Sequence, residues 1–253
     1  MKLHLLFKGL LLCFLFGCAN SHQKTDLTIA CAANLQYAIN EIKEQFEKQH
    51  NISCQLIISS SGKLTAQIKE GAPYDVFISA DMKYPELLYQ NGLANIPPKT
   101  YAYGKLVLWT NKITDDFSIN SMTSDQINYI AIANPETAPY GKAALEALKY
   151  HQQFDLLKDK LVFGESVSQI NQFIISQSAD VGFTAKSIVL SPALRDKGKW
   201  VELDSASYQP IEQGILLIDR GESQNTAARD FYDYIFSPEA KKNLMNYGYS
   251  INE

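Results

Sequence analysis

Leu27-Thr28-Ile29-Ala30-Cys31-Ala32-Ala33-Asn34-Leu35 opens the folded part of the chain. Its first six residues form a short, mostly apolar run that reads as a buried strand. From Leu35 to Gln49 the period changes, and Leu35, Ile39, Ile42 and Phe46 fall on one helical face. Ile52 to Ile58 returns to β-branched residues and strand character. A strand, a helix and a strand in that order make a βαβ unit, the building block of a parallel sheet.

The alternation continues along the chain. Leu64 to Glu70 reads as a helix ending before Gly71, Asp75 to Ser79 as a strand, and Pro85 to Gln90 as a helix ending before Gly92. Asn91 to Thr100 is broken by Gly92, Pro97 and Pro98. A second set follows, with strands at Lys105–Trp109, Tyr129–Ala133, Lys160–Phe163, Asp180–Thr184 and Lys199–Leu203, and helices at Lys142–His151 and Ser168–Ser176. Gly214 to Ile218 reads as a returning strand, and Thr226–Phe236 and Pro238–Tyr247 as closing helices. The pattern predicts an α/β protein of two lobes, residues 27–103 plus 208–253 and residues 104–207. The chain crosses between them near Tyr101–Lys105 and returns near Tyr208–Gly214. No internal repeat or low-complexity segment is present.

Residues 1–17 read as a signal peptide. Lys2 and Lys8 form a basic start, and Leu10 to Phe16 is an apolar run too short to span a bilayer as a helix. The run ends in Leu15-Phe16-Gly17-Cys18, which resembles a lipobox and makes Cys18 the expected acylated N-terminus. The alternative is a plain secretory signal with Cys18 incidental. Either way the mature protein is expected outside the cytoplasm, periplasmic or at the cell surface. With acylation it is held to the membrane by a lipid anchor through a polar tether, residues 18–26.

From Cys18 onward, 21 basic residues face 27 acidic ones, a net charge of −6. That balance argues against a nucleic-acid partner, which requires a basic surface. It also means that any anion site must be made from local dipoles. Beyond Cys18 only Cys31 and Cys54 remain, and they either pair or stay as buried free thiols. No metal-ligand spacing is present.

Four loops share one design, with small or polar residues between a strand end and a helix start. They are Ala32-Ala33-Asn34, Ser59-Ser60-Ser61-Gly62-Lys63, Ala138-Pro139-Tyr140-Gly141-Lys142 and Gly164-Glu165-Ser166-Val167-Ser168. Ligands of open α/β sheets bind outside the carboxyl ends of the strands. Helix N-termini there offer unpaired N–H groups and a positive dipole end. Taken singly, each loop is an ordinary helix cap. Together, on two lobes, they suit a small anion, and Gly62 lets a ligand approach the backbone closely.

At this point the sequence resembles the molybdate-binding proteins of ABC importers, within the wider class of periplasmic solute-binding proteins. The resemblance runs from about Leu27 to Ile251. It is carried by Ala32-Ala33-Asn34-Leu35, by Ser60-Ser61-Gly62-Lys63-Leu64-Thr65-Ala66-Gln67-Ile68, and by Gly71-Ala72-Pro73-Tyr74-Asp75-Val76-Phe77-Ile78-Ser79-Ala80-Asp81. Asn134-Pro135-Glu136 with Pro139-Tyr140-Gly141, Gly182-Phe183-Thr184 and Phe231-Tyr232-Asp233-Tyr234 extend it. The resemblance implies a type II periplasmic-binding-protein fold, each lobe a mixed sheet flanked by helices, joined by two crossover strands. It implies a monomer that captures molybdate or tungstate, uses no cofactor, coordinates no metal directly through side chains, and delivers the oxyanion to an ABC permease in the inner membrane.

The resemblance places the ligands at Asn34 through its amide, Ser61 through its hydroxyl, and Tyr140 and Val167 through backbone N–H groups. A tyrosine hydroxyl that some members add falls on Ala185, which has none. Water, the backbone or another side chain replaces it there, or the site has one donor fewer. Asp75 and Asp81 are not expected as ligands, because a carboxylate repels a dianion. Asp81 instead suits a helix cap. Lys63 either adds attraction or points to solvent, and Trp109, Tyr101 and Tyr103 suit core or hinge packing.

Donor-only chemistry accepts a fully deprotonated dianion. It rejects hydrogen phosphate, which needs an acceptor for its proton. Sulfate, as a smaller tetrahedral oxyanion on the same fold, is the competing cargo. A rival of another class is a serine hydrolase, because Ser60-Ser61-Gly62-Lys63 fits S-x-x-K, but no S-D-N or K-T-G partner accompanies it.

Overall fold

The structure is a computed structural model and describes residues 26–112, 117–221 and 226–251. The leader and the Cys18 acylation position lie outside the described residues. Two five-stranded mixed sheets, each flanked by helices, form two lobes.

In the first lobe, strand β1 (Leu27–Ala32) leads through a 3-10 turn (Ala33–Leu35) into helix α1 (Gln36–His50) and strand β2 (Cys54–Ser59). Ala38, Ile39, Ile42 and Phe46 form the buried face of α1, which ends at Asn51 in the left-handed conformation, φ 53°. Helix α2 (Ser61–Lys69), strand β3 (Val76–Ser79) and helix α3 (Lys83–Gln90) follow. Strand β4 (Lys99–Gly104) then leads out of the lobe into β5 (Leu106–Thr110).

The second lobe contains β5, β6 (Ile130–Ala133), α4 (Pro139–Tyr150), α5 (Phe154–Leu157), β7 (Leu161–Gly164), α6 (Val167–Ile175), β8 (Val181–Ala185), α7 (Lys186–Val189) and β9 (Lys199–Glu202). Strand β10 (Ile211–Leu217) returns to the first sheet, and helices α8 (Thr226–Tyr234) and α9 (Pro238–Asn246) follow.

The strand orders are β2-β1-β3-β10-β4 and β7-β6-β8-β5-β9. Each sheet therefore has three parallel strands and then an antiparallel one that arrives from the other lobe. The two crossovers run side by side, with Gly104 opposite Ile211. The Leu203 N–H donates to the Leu106 carbonyl at 3.1 Å, and the Leu106 N–H donates to the Tyr208 hydroxyl at 3.1 Å. β10 starts three residues before the glycine where the sequence pattern places it. β4, in a segment that reads mostly as loop, is a full strand paired to β10.

Register positions the loops. Ala32 pairs with Ser59 and Cys31 with Ile78, so the carboxyl ends of β1, β2 and β3 finish on one rim. In the second lobe Ala133 pairs with Gly164, which sets the loops before α4 and α6 side by side. Cys31 and Cys54 are both buried and free. Burial pushes both thiols up, Cys54 to about 12, so neither carries reactive thiolate at neutral pH. No described helix is long and apolar enough to cross a membrane.

Candidate functional site

The two rims face each other across a small cavity. Ala32, Ala33, Asn34, Ser60, Ser61 and Ala80 line it from the first lobe, and Ala138, Pro139, Tyr140 and Val167 from the second. None of these side chains carries a formal charge. Asn34, Ser61, Tyr140 and Val167 are thus brought together from four loops, whereas Ala185 does not line the cavity. Ala185 is fully buried opposite Leu106, where β8 meets the crossover.

Three helices and one 3-10 turn start at this cavity. Their capping residues are Ala32, Ser60, Ala138 and Ser166, and none makes a side-chain cap hydrogen bond. Ser237 at the start of α9 does cap, accepting from the Ala240 N–H, while the N-cap residues of α1, α3, α5 and α7 also make no side-chain cap bond, so what sets these four starts apart is their convergence on one cavity. The N–H groups of Ser61, Tyr140, Val167 and Ser168 stand at first-turn positions that have no carbonyl partner within the helix, whereas those of Gly62, Gly141 and Gln169 bond the Thr137, Ala138 and Ser166 carbonyls. Tyr140 and Val167 lie in those first turns. The Ser61 hydroxyl oxygen accepts from the Ala80 N–H at 3.0 Å, which leaves its hydrogen for the cavity.

Asn34 is held differently from its expected role. Gln213 donates through Nε2 to the Ala80 carbonyl (3.2 Å) and the Ile211 carbonyl (3.0 Å), so its Oε1 must accept. It accepts from Asn34 Nδ2 at 2.8 Å, and the same nitrogen also donates to the Tyr249 hydroxyl at 2.8 Å. Both amide hydrogens are spent inside the protein. The Asn34 backbone carbonyl in turn accepts from the Ser187 hydroxyl at 2.7 Å. Asn34 therefore braces the hinge with its side chain and can face the cavity with its backbone N–H. Gln213, Ser187 and Tyr249 are site-supporting residues that local sequence patterns do not reveal.

Tyr140 also has two faces. Its ring is buried, and a Cβ placed on Gly104 would collide with its hydroxyl oxygen. The phenol thus fills the space that the glycine leaves at the crossover. Burial pushes the hydroxyls of Tyr140 and Tyr249 well up, so both stay neutral beside the cavity.

The lobes are shut. The Gly62 N–H donates to the Thr137 carbonyl at 2.9 Å and the Tyr84 hydroxyl to the Glu136 carbonyl at 2.8 Å. The Ser168 hydroxyl donates to Gln36 Oε1 at 2.6 Å, and Lys63 pairs with Glu165 at 2.6 Å.

The hydrolase constellation is not assembled. The Lys63 ammonium is on Glu165, and the Ser60 hydroxyl has no partner. Asp81 caps α3 by accepting from the Tyr84 N–H at 3.3 Å, and Asp75 accepts from the Thr28 N–H at 2.7 Å and pairs with Arg220. Trp109 is core, donating to the Lys197 carbonyl at 2.8 Å. Among the described residues no cluster of His, Cys, Asp and Glu is arranged to hold a metal ion.

Comparison with known proteins agrees with this geometry. Residues 27–250 match the family described as bacterial extracellular solute-binding protein. A relative from Azotobacter vinelandii, named molybdate-binding protein ModA, is 34% identical over 241 residues, covering 94% of each chain. The putative ABC transporter substrate-binding lipoprotein YvgL of Bacillus subtilis is 30% identical over 260 residues, covering 98% of each chain. The solved periplasmic molybdate-binding protein of Azotobacter vinelandii superposes with a TM-score of 0.84 at 32% identity, covering 90% of this chain and 100% of that one. An uncharged cradle of helix starts between two crossover-linked lobes and a match over nearly the whole folded chain lead to one conclusion: this chain belongs to the bacterial extracellular solute-binding proteins.

Proposed function

We propose that this protein captures molybdate between its lobes outside the cytoplasm and hands it to an ABC-type permease. It is a transport protein and not an enzyme. The observation that carries the reading is the set of uncapped helix starts around one uncharged cavity. Unpaired N–H groups and the positive ends of helix dipoles favour an anion without a cationic side chain. The names of the relatives point to molybdate among the anions.

The donors in this reading are the Ser61 hydroxyl and the N–H groups of Asn34, Tyr140 and Val167. The lobes divide as residues 27–103 plus 208–253 and residues 104–207. The anion bridges the two rims and stabilises the shut state, a hinge closure. Cys18 anchors the chain by lipid, a reading supported by its lipobox-like context and by the lipoprotein name of the Bacillus relative. The protein works as a monomer. Tungstate, nearly the same size as molybdate, binds as well.

Thermal unfolding with molybdate, tungstate, sulfate and phosphate at equal concentration tests this. A ligand at a thousandfold excess over its Kd stabilises by about 4 kcal/mol, or about 10 °C here. Molybdate and tungstate should produce such a shift and phosphate none. A shift with sulfate alone would overturn the choice of cargo.

A further inference from the structure

The Ser60 hydroxyl has no assigned task. Ser60 precedes the first turn of α2, is 4% exposed and lines the cavity, yet its Oγ has no hydrogen-bond partner. It occupies a capping position and does not cap. A buried hydroxyl without a partner is costly, so one is retained where something else completes it.

Two other partnerless buried atoms belong to residues lining the cavity, and neither is equivalent. Asn34 Oδ1 is an acceptor with nothing to give an anion, and the Tyr140 hydroxyl lies against Gly104 at the crossover. Ser61 already has its oxygen engaged by the Ala80 N–H. Unlike the Ser61 hydroxyl, the Ser60 hydroxyl has both its donor and its acceptor capacity unspent within the protein.

We propose that the Ser60 hydroxyl is a further donor to the bound oxyanion, adjacent to Ser61 and on the same helix start. The proposal rests on the oxyanion reading of the cavity. A hydroxyl rotates freely and can aim its hydrogen at an oxygen of the ligand, and a hydrogen bond to a charged acceptor is stronger than a neutral one. α2 would then present two hydroxyls and the Ser61 N–H to one ligand.

The test is calorimetric titration of wild type, Ser60→Ala and Ser60→Cys with sodium molybdate, with thermal unfolding of each protein free of ligand. Loss of a charge-assisted hydrogen bond should weaken binding by about tenfold to a hundredfold in both variants. Ligand-free stability should stay unchanged or rise, because an unsatisfied buried hydroxyl is gone. The Cys variant keeps the side chain's shape with a poor donor, so it separates donation from packing. Wild-type affinity in both variants would overturn the role of Ser60 alone. So would an affinity loss matched by an equal loss of ligand-free stability, because that is the mark of a helix cap. A wild-type protein that binds no molybdate would overturn the oxyanion reading and this proposal with it.

Discussion

The Gly62 N–H donates across the cleft to the Thr137 carbonyl at 2.9 Å, a backbone bond joining the anion-facing loop of one lobe to that of the other. A Cβ at Gly62 would stand 2.9 Å from Thr137 Cα and 2.7 Å from the Tyr84 hydroxyl. The shut state therefore needs glycine here, while the helix alone would prefer alanine. Gly62→Ala should weaken molybdate binding by tenfold or more and leave ligand-free melting unchanged or slightly raised. Titration and melting of the variant check both halves, and undiminished affinity would mean that the lobes do not meet as described.

Tyr84 and Lys63 reach across the same cleft by different physics. Tyr84→Phe removes one partly buried hydrogen bond to the Glu136 carbonyl, worth about 1 kcal/mol, so affinity should fall about fivefold at any ionic strength. Lys63→Ala breaks an exposed ion pair with Glu165 and should change affinity about twofold at most, with the effect disappearing in high salt. Titrations at low and high salt separate the two.

Gly104 and Tyr140 tie the cavity to the crossover. Gly104→Ala drives a methyl into the Tyr140 hydroxyl, and overpacking of this kind costs about 1–3 kcal/mol. Because Tyr140 also lines the cavity, molybdate affinity should fall as well. Tyr140→Phe removes a buried hydroxyl beside Asn34 and should cost about 1 kcal/mol at most. The double variant should recover part of the loss, and a thermodynamic cycle over the four proteins measures that coupling.

Asp180 governs part of the acid stability of the second lobe. Burial raises its carboxyl, but the Lys112 ammonium and the N–H groups of Asn128 and Tyr129 outweigh that and hold it below the usual carboxylate range. A depressed native carboxylate contributes stability that is present above the unfolded value near 4 and is lost as pH falls through the folded value. Asp180→Asn should cost about 2 kcal/mol at pH 7 and progressively less as the pH is lowered beneath the unfolded carboxylate range. Denaturant unfolding over an acid pH series checks this.

The chain signals much of this architecture locally. Strand β1, helix α1 and strand β2 follow from residues 27–58 because their apolar periods are uninterrupted. The strand-to-helix loops that hold Ser61, Tyr140 and Val167 are legible in the sequence, but the choice of those residues within the loops comes from the family resemblance. β4 is poorly marked because Pro97 and Pro98 precede a Tyr-Ala-Tyr-Gly stretch, and its strand character comes from pairing with β10 more than a hundred residues later. The bracing of Asn34 is invisible for the same reason, since Gln213 and Tyr249 lie 179 and 215 residues away in sequence. The residue type fits a donor amide facing the ligand, and only tertiary structure shows where its hydrogens go.

Calorimetric titration of the chain lacking residues 1–18 with molybdate, in the presence of excess sulfate, tests the central claim most directly. The account predicts one molybdate bound tightly per chain despite the sulfate, with binding severely weakened in Ser61→Ala. Sulfate binding in the absence of any molybdate binding would contradict it.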